Sequence, residues 1–205
     1  MKPATDVFSE WARIGKDAGM ETGHAPAVNE ILNAALSELN GRDFEAIDAG
    51  CGNGWVVRLL NNIPSCTRAM GVDGAESMIQ RAQNIDALGT YTLADLSSWN
   101  PESPVDLVHS MEVLYYLEDI VDFLNRVNRY WLKSNGIFAF GIDHYFENED
   151  SHSWSEKVGV RMAMYSENEW REMVENAGFN VLRMFRAAQT PEWPGTLSFI
   201  LVKVH

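Results

Sequence analysis

Positive charge is scarce in this chain of 205 residues: lysine and arginine total 16 against 29 acidic residues, for a formal net charge of −13. Nucleic-acid affinity rests largely on counterion release by a basic surface, so DNA and RNA are poor candidate partners. Only two cysteines occur, Cys51 and Cys66, too few for a disulfide framework and without a metal-ligand spacing. No metal is expected, and Cys51, a small residue in a glycine turn, reads as packing rather than as a nucleophile. No apolar run approaches membrane-spanning length, and residues 1–6 lack the apolar region of a signal peptide. An intracellular, cytoplasmic protein without membrane association is expected, a monomer or homodimer. Repeats and low-complexity segments are missing as well. What remains, 46% hydrophobic and 22% charged residues, is the balance of a globular domain.

The most informative stretch is Phe44-Glu45-Ala46-Ile47-Asp48-Ala49-Gly50-Cys51-Gly52-Asn53-Gly54-Trp55. It reads as a strand, a turn with glycine at alternate positions, and the start of a helix. Glycine permits positive φ and leaves no Cβ to hold a ligand away from the backbone. A dinucleotide fingerprint would need its third glycine where Trp55 stands. Asp48 would repel a diphosphate and suit an ammonium group, which favours a cationic or zwitterionic nucleoside. An ordinary βα loop is the alternative for a glycine turn taken alone.

Further along, an amphipathic turn with Phe8, Trp11 and Ile14 gives way to a glycine-rich connector over residues 15–24. Val28, Ile31, Leu32, Ala35, Leu36 and Leu39 then recur at helical spacing after Pro26, and Gly41 follows the helix. Thr67–Asp73 reads as a second strand with a helix over 75–84, and Thr90–Asp95 as a third strand. Val105–Ser110 is the fourth, and the apolar run Ile137–Ile142 suits a fifth, buried on both faces. Ser166 and Glu169 form a capping box opening a helix that Gly178 stops. Phe179–Arg186 and Thr196–Lys203 read as a closing antiparallel pair. This alternation predicts an α/β, doubly wound, mostly parallel sheet. Asp73 lies 23 positions after Gly50, suitably placed to accept from ribose hydroxyls, with capping of the following helix as the alternative. Asp95 also ends a strand and has its own alternative, capping the turn at Ser97-Ser98.

Asp48, Gly50, Gly52 and Gly54, with Asp73, Asp95 and the Ser110 segment at later strand ends, resemble the motifs of class I S-adenosylmethionine-dependent methyltransferases. The resemblance covers residue 44 to the end. It implies a seven-stranded Rossmann-like fold with one antiparallel terminal strand, an N-terminal helical lid over residues 1–25, and a catalytic domain over 26–205. The cofactor implied is S-adenosylmethionine, leaving as S-adenosylhomocysteine. By the same resemblance Asp48 and the Gly50–Gly54 backbone hold its methionine portion, Asp73 meets the ribose, Gly74 is a further cofactor-binding residue, and Met78 packs on adenine. Asp95 accepts from the exocyclic amine, Leu96 contacts the ring, and Ser110 and Met111 border the methionine end.

Methyl transfer from a sulfonium is an in-line displacement, in which positioning can supply about 7 to 11 kcal/mol. A base matters only where the acceptor must lose a proton, and His144, directly after the fifth strand, is the candidate. Trp11, His24, Tyr115, Tyr145, His152, Trp154 and Trp193 are candidate acceptor-pocket residues, because their segments converge at the carboxyl ends of the strands. His24, His144 and His152 with Asp143 do not form a recognised metal-ligand pattern. The fourth strand lacks the Asn/Asp-Pro-Pro-Tyr of nucleic-acid methyltransferases, and with the acidic charge this points to a small-molecule acceptor. A catalytically silent cofactor-binding or partner-binding module and a nucleotide-dependent oxidoreductase are the other classes, the last opposed by Trp55.

Overall fold

Strand and helix signals alternate along the chain, and a computed structural model, describing residues 1–204, turns them into one sheet. Its strands are β1 (Phe44–Ala49), β2 (Cys66–Asp73), β3 (Thr90–Leu93), β4 (Val105–Met111), β5 (Leu132–Ile142), β6 (Phe179–Ala187) and β7 (Thr196–Lys203). They lie in the order β3-β2-β1-β4-β5-β7-β6, with β7 antiparallel to both β5 and β6 and the other pairings parallel. This is the expected doubly wound, seven-stranded sheet.

The helices are α1 (Ala4–Arg13), α2 (Asp17–Leu39), α3 (Trp55–Asn61), α4 (Glu76–Ile85), α5 (Ile120–Arg126), α6 (Trp154–Val158) and α7 (Glu167–Asn176). One sheet face buries Phe44, Ala46, Ile137 and Ile200 with Val28, Ile31 and Leu32 of α2 and Val56 of α3. The opposite face buries Ile47, Phe138 and Phe140 with Phe123 of α5 and Trp170 of α7. Ile137–Ile142 of β5 is buried throughout, as a continuous apolar strand between two helical layers should be. The Ser166/Glu169 capping box is formed, and Gly178 follows α7 with φ +84°.

The main departure is at the N-terminus. Residues 17–25 are not a glycine-rich connector but the first turns of α2, which continues through Pro26 to Leu39. Gly19 and Gly23 weaken a helix without forbidding it. Tertiary contacts decide the matter: Asp17 accepts from Asn53 Nδ2 at 3.0 Å and pairs with the Arg81 guanidinium, anchoring the start of α2 to α4 and to the glycine turn. The boundary at residue 25 therefore falls inside a helix. The 143–165 connection is partly ordered too, carrying a 3-10 turn at Glu149–Ser151 and then α6.

Candidate active site

The strand order reverses at β1 and β4, which open a crevice at their carboxyl ends. A cleft of about 1020 Å³ occupies this edge, with the glycine turn, the ends of β2 and β3, and the segment after β4 as its walls. α1 and the start of α2 cover it. Phe8 of α1 meets the Tyr116 ring edge-on at 5.2 Å, and Ala12 packs with Ala75 and Met78, so α1 bridges the two sides.

Within the turn the three glycines have φ of +75°, +52° and +78°, but they serve different ends. A Cβ on Gly50 would lie 2.2 Å from Val113 Cγ2, and one on Gly54 would lie 2.4 Å from Tyr91 Cε1. At Gly52 the nearest atom would be Met78 Sδ at 3.9 Å. Gly50 and Gly52 line the cleft, and Gly54 does not. The expectation of bare backbone along the whole turn is thus corrected: Gly54 is there for the Tyr91 ring, and Gly52 leaves the open backbone.

Asp48 is 2% exposed at the end of β1, 2.7 Å from Nδ1 of the fully buried His109. His109 escaped the sequence reading. It is the parallel-register neighbour of Asp48 on β4, a relation visible only once the strands are aligned. Asp73 accepts from Gly52 N at 2.9 Å and Ala75 N at 2.7 Å, one donor per carboxylate oxygen. The Ala75 contact is an Asx-type turn ahead of α4 rather than a cap, since α4 has no side-chain cap at its N-terminus, and each carboxylate oxygen has a further lone pair to offer. Burial raises the Asp73 carboxyl above its ordinary range, and the Ala75 and Gly52 N–H groups pull it back. Asp95 lines the cleft and holds the Ser97 N–H at 2.8 Å, so the turn-capping alternative is realised there. Gly74, Met78, Leu96 and Met111 line the cleft. Ser110 does not, because its hydroxyl donates to the Ala49 carbonyl inside the sheet at 2.8 Å.

The candidate acceptor residues divide sharply. His24, on the inward side of α2, reaches the cleft. His144 is 1% exposed and outside the cleft lining, its Nδ1 set against the Ser151 carbonyl at 3.1 Å and its ring beside Tyr115 and Trp154. Tyr115 and Tyr145 are buried, and their hydroxyls donate to Glu112 at 2.6 Å and to the Gly195 carbonyl at 2.8 Å. His152 is exposed, Trp11 takes Lys16 over its ring at 4.4 Å, and none of Trp11, His152, Trp154 or Trp193 lines the cleft. Burial removes Tyr115, His144 and Tyr145 from the cleft, whereas Trp154 and Trp193 are partly buried elsewhere and His152 faces solvent.

A group the sequence did not reveal takes their place. Polar atoms of His24, Glu112 and Asp143 lie within 4.8 Å of one another. Glu112 follows β4 with φ +60°, accepting from the Asp143 N–H as well as from Tyr115. Asp143 follows β5, is 6% exposed, and accepts from the Thr196 hydroxyl at 2.6 Å. Burial and then the Asp143 charge push the Glu112 carboxyl well up, burial lifts Asp143 to about 6, and burial lowers the His24 imidazole. His24 and Asp143 come together here with Glu112, and His144 and His152 are not part of the group.

A family model for the methyltransferase domain matches residues 21–184. The chain belongs to the class I S-adenosylmethionine-dependent methyltransferases. This methyltransferase is 31% identical over 106 residues to a trans-aconitate 2-methyltransferase of Azoarcus sp., 52% of this chain and 41% of that protein. It is 27% identical to a malonyl-[acyl-carrier protein] O-methyltransferase of Brevibacillus brevis, across 82% of this chain and 67% of the relative. The chain thus spans about half or less of the trans-aconitate relatives. A chain of the complex between the Haloferax volcanii Trm112 methyltransferase activator and a candidate methyltransferase superposes with a TM-score of 0.86 at 26% identity, covering 100% of both chains. The N-methyltransferase NodS of Bradyrhizobium japonicum, solved with S-adenosylhomocysteine, shares the fold at a TM-score of 0.66 and 18% identity over 86% of this chain and 85% of that one. S-adenosylmethionine is the cofactor. No helix among the described residues is long and apolar enough to cross a membrane.

Proposed function

We propose that this methyltransferase acts on a small-molecule acceptor held in the cleft beside the glycine turn. One observation carries this reading: the cleft is walled by the ends of β1, β2, β3 and β4 and covered by α1 and α2, at about 1020 Å³. Specific small-ligand sites are of about 300–1,000 Å³, so a nucleoside cofactor leaves room for a compact acceptor and little for a polymer.

The donor set fits the cofactor. Asp48, fixed by His109, offers an anion to the ammonium of the methionine portion, and Asp73 keeps a lone pair on each oxygen for ribose hydroxyls. Gly52 leaves open backbone, and Met78 and Leu96 give an apolar surface suited to adenine. Asp95 offers an oxygen to the exocyclic amine, with Gly50, Gly74 and Met111 as further neighbours. When bound, the cofactor supplies an electrophilic methyl group on a sulfonium; the chain orients the acceptor and excludes water. Methyl transfer from isotopically labelled S-adenosylmethionine into a metabolite extract tests the reading. Label should collect in the low-molecular-weight fraction; label confined to protein or nucleic acid would overturn it.

A second reading adds a protein partner. It is favoured by the full-length similarity to a chain of the Trm112 complex. Co-expression with a Trm112 protein should then give a stable complex on size-exclusion chromatography, and separate elution of the two would dismiss it. A catalytically silent partner module would bind S-adenosylhomocysteine and label nothing, with or without that partner.

A further inference from the structure

At the β4 end of the cleft Glu112 lines the wall, and Asp143, which follows β5, lies outside the lining but within 4.8 Å of the Glu112 carboxylate; neither has a counter-charge. None of the ion pairs among the described residues involves Glu112, Asp143 or His24. Their neutral donors are Tyr115, Thr196 and a backbone N–H, so the pair is oriented but not neutralised. Along the cleft wall Arg13 is the sole lysine or arginine among the described residues, against nine carboxylate side chains. Over the whole chain the ratio is 16 to 29, so the cleft is far more acidic than the protein that contains it.

Enclosed carboxylates without a cation are costly, and the arrangement persists where something else supplies the charge or a proton. Here burial raises both acids, Asp143 to about 6, as expected of carboxylates whose charge is not compensated. His24 supplies the complementary property. Burial favours its neutral imidazole, whose ring can accept a proton. The atoms lie within 4.8 Å of one another, a circle that fits a tetrahedral nitrogen donating at about 2.9 Å.

The placement relative to the glycine turn is also suitable. Glu112 directly follows Met111 of the cleft wall and precedes Val113, whose methyl groups pack against the Gly50 backbone. The φ of +60° at Glu112, an uncommon value for a residue with a side chain, turns the chain there. Such backbone strain concentrates at functional sites.

We propose that the acceptor is an amine whose nitrogen is seated among Glu112, Asp143 and His24. The proposal rests on the small-molecule methyltransferase reading and deepens it. An incoming ammonium, R–NH3⁺, gives one proton to the His24 imidazole and becomes R–NH2. The freed lone pair forms the new C–N bond as the S–CH3 bond breaks, its electron pair staying on sulfur. The products are R–NH2⁺–CH3 and neutral S-adenosylhomocysteine, with the transferred proton on His24 passing to solvent. A carboxylate acceptor, such as the names of the trans-aconitate relatives describe, would instead add an anion to two acids. Those similarities are to half of this chain, and the charge of its cleft argues against sharing their acceptor.

The experiment pairs binding with turnover. Calorimetry first measures S-adenosylhomocysteine binding; its absence in the wild-type chain would defeat the underlying reading and the amine proposal with it. With the protein saturated in S-adenosylhomocysteine, primary amines are then titrated against matched carboxylates, benzylamine against benzoate among them, and both sets are offered as acceptors with labelled S-adenosylmethionine. Amines should bind and be labelled at least 100-fold better than their carboxylate partners. E112Q and H24A should keep S-adenosylhomocysteine affinity within about twofold and lose amine labelling by 100-fold or more. H24A guards against misfolding of E112Q, since His24 makes no hydrogen bond that the fold depends on. Label on carboxylates or hydroxyls alone, no label on any amine, or undiminished amine turnover in H24A overturns the proposal while leaving cofactor binding intact. Turnover that requires an added divalent cation and vanishes in chelator also overturns it, because the three residues would then be metal ligands.

Discussion

The two sides of the cleft are held by different means. On the glycine-turn side, acids take backbone N–H groups: Asp73 those of Gly52 and Ala75, and Asp95 that of Ser97. On the β4/β5 side the carboxylates of Glu112 and Asp143 depend on the side chains of Tyr115 and Thr196, the latter from β7, and His24 arrives on α2. The first is built from backbone groups of the turns after β1, β2 and β3. The second exists only when α2, β4, β5 and β7 are all in place. Damage to the first side should therefore register in stability and cofactor affinity. Damage to the second should register in titration and turnover.

The sharpest break of this comparison lies in the turn itself. Gly54→Ala adds a Cβ 2.4 Å from Tyr91 at a φ of +78°. Overpacking costs about 1–3 kcal/mol and the left-handed backbone about 1–2 kcal/mol, so a loss of about 2–5 kcal/mol is expected, read as a lowered Tm. Gly52→Ala meets nothing closer than 3.9 Å and should lose only the backbone share, about 1–2 kcal/mol, while cofactor affinity falls. Equal losses at the two positions would show that packing against Tyr91 does not distinguish them.

On the other side the expected signature is pH. Asp143 has its folded pKa raised to about 6, against about 3.9 in the unfolded chain. The folded state binds the extra proton between these values, so this group's influence makes stability fall as pH rises from about 4 to about 6. Roughly two units correspond to about 3 kcal/mol. Urea unfolding across this range should show the decline in the wild type and a flatter profile in Asp143→Asn. An identical pH dependence in both would remove Asp143 as its source. Asp73→Ala should act differently, weakening S-adenosylhomocysteine binding by about 1.5–3 kcal/mol, the range for hydrogen bonds to a charged group, with amine-independent calorimetry as the measure.

These differences also explain what could be read in advance. The sheet, the antiparallel end, the capping box at Ser166 and the acids at the ends of β1 and β2 follow from short-range patterns: alternation, glycine spacing and residues a turn apart. His109 and Glu112 carry no such local mark. His109 needed the β1–β4 register, and Glu112 needed the approach of Asp143 and Tyr115. His144 was misleading for a physical reason, since its place after β5 is right for a base but its ring packs between Tyr115 and Trp154. The glycines before Pro26 misled likewise, because the bond from Asn53 to Asp17 lies 36 residues apart in sequence.

The smallest expected effect concerns α2, the element that joins the two sides, with Asp17 anchored at the turn and His24 at the β4/β5 end. Pro26 is exposed and interior to this helix, so Pro26→Ala removes no packing and restores an N–H for the Thr22 carbonyl. A proline in a helix interior is about 3 kcal/mol worse than alanine, but the native helix already accommodates the ring, and the more flexible unfolded chain of the variant takes back about 0.4–1 kcal/mol. A net gain of about 1 kcal/mol is expected, raising Tm by about 2–4 °C. Turnover should stay within about twofold, since residues 27–39 and the Asp17 anchor fix both ends of the helix. A lowered Tm would mean that the break at Pro26 is needed to bring His24 over Glu112 while Asp17 stays on Asn53, so that the two sides of the cleft are coupled through one bend.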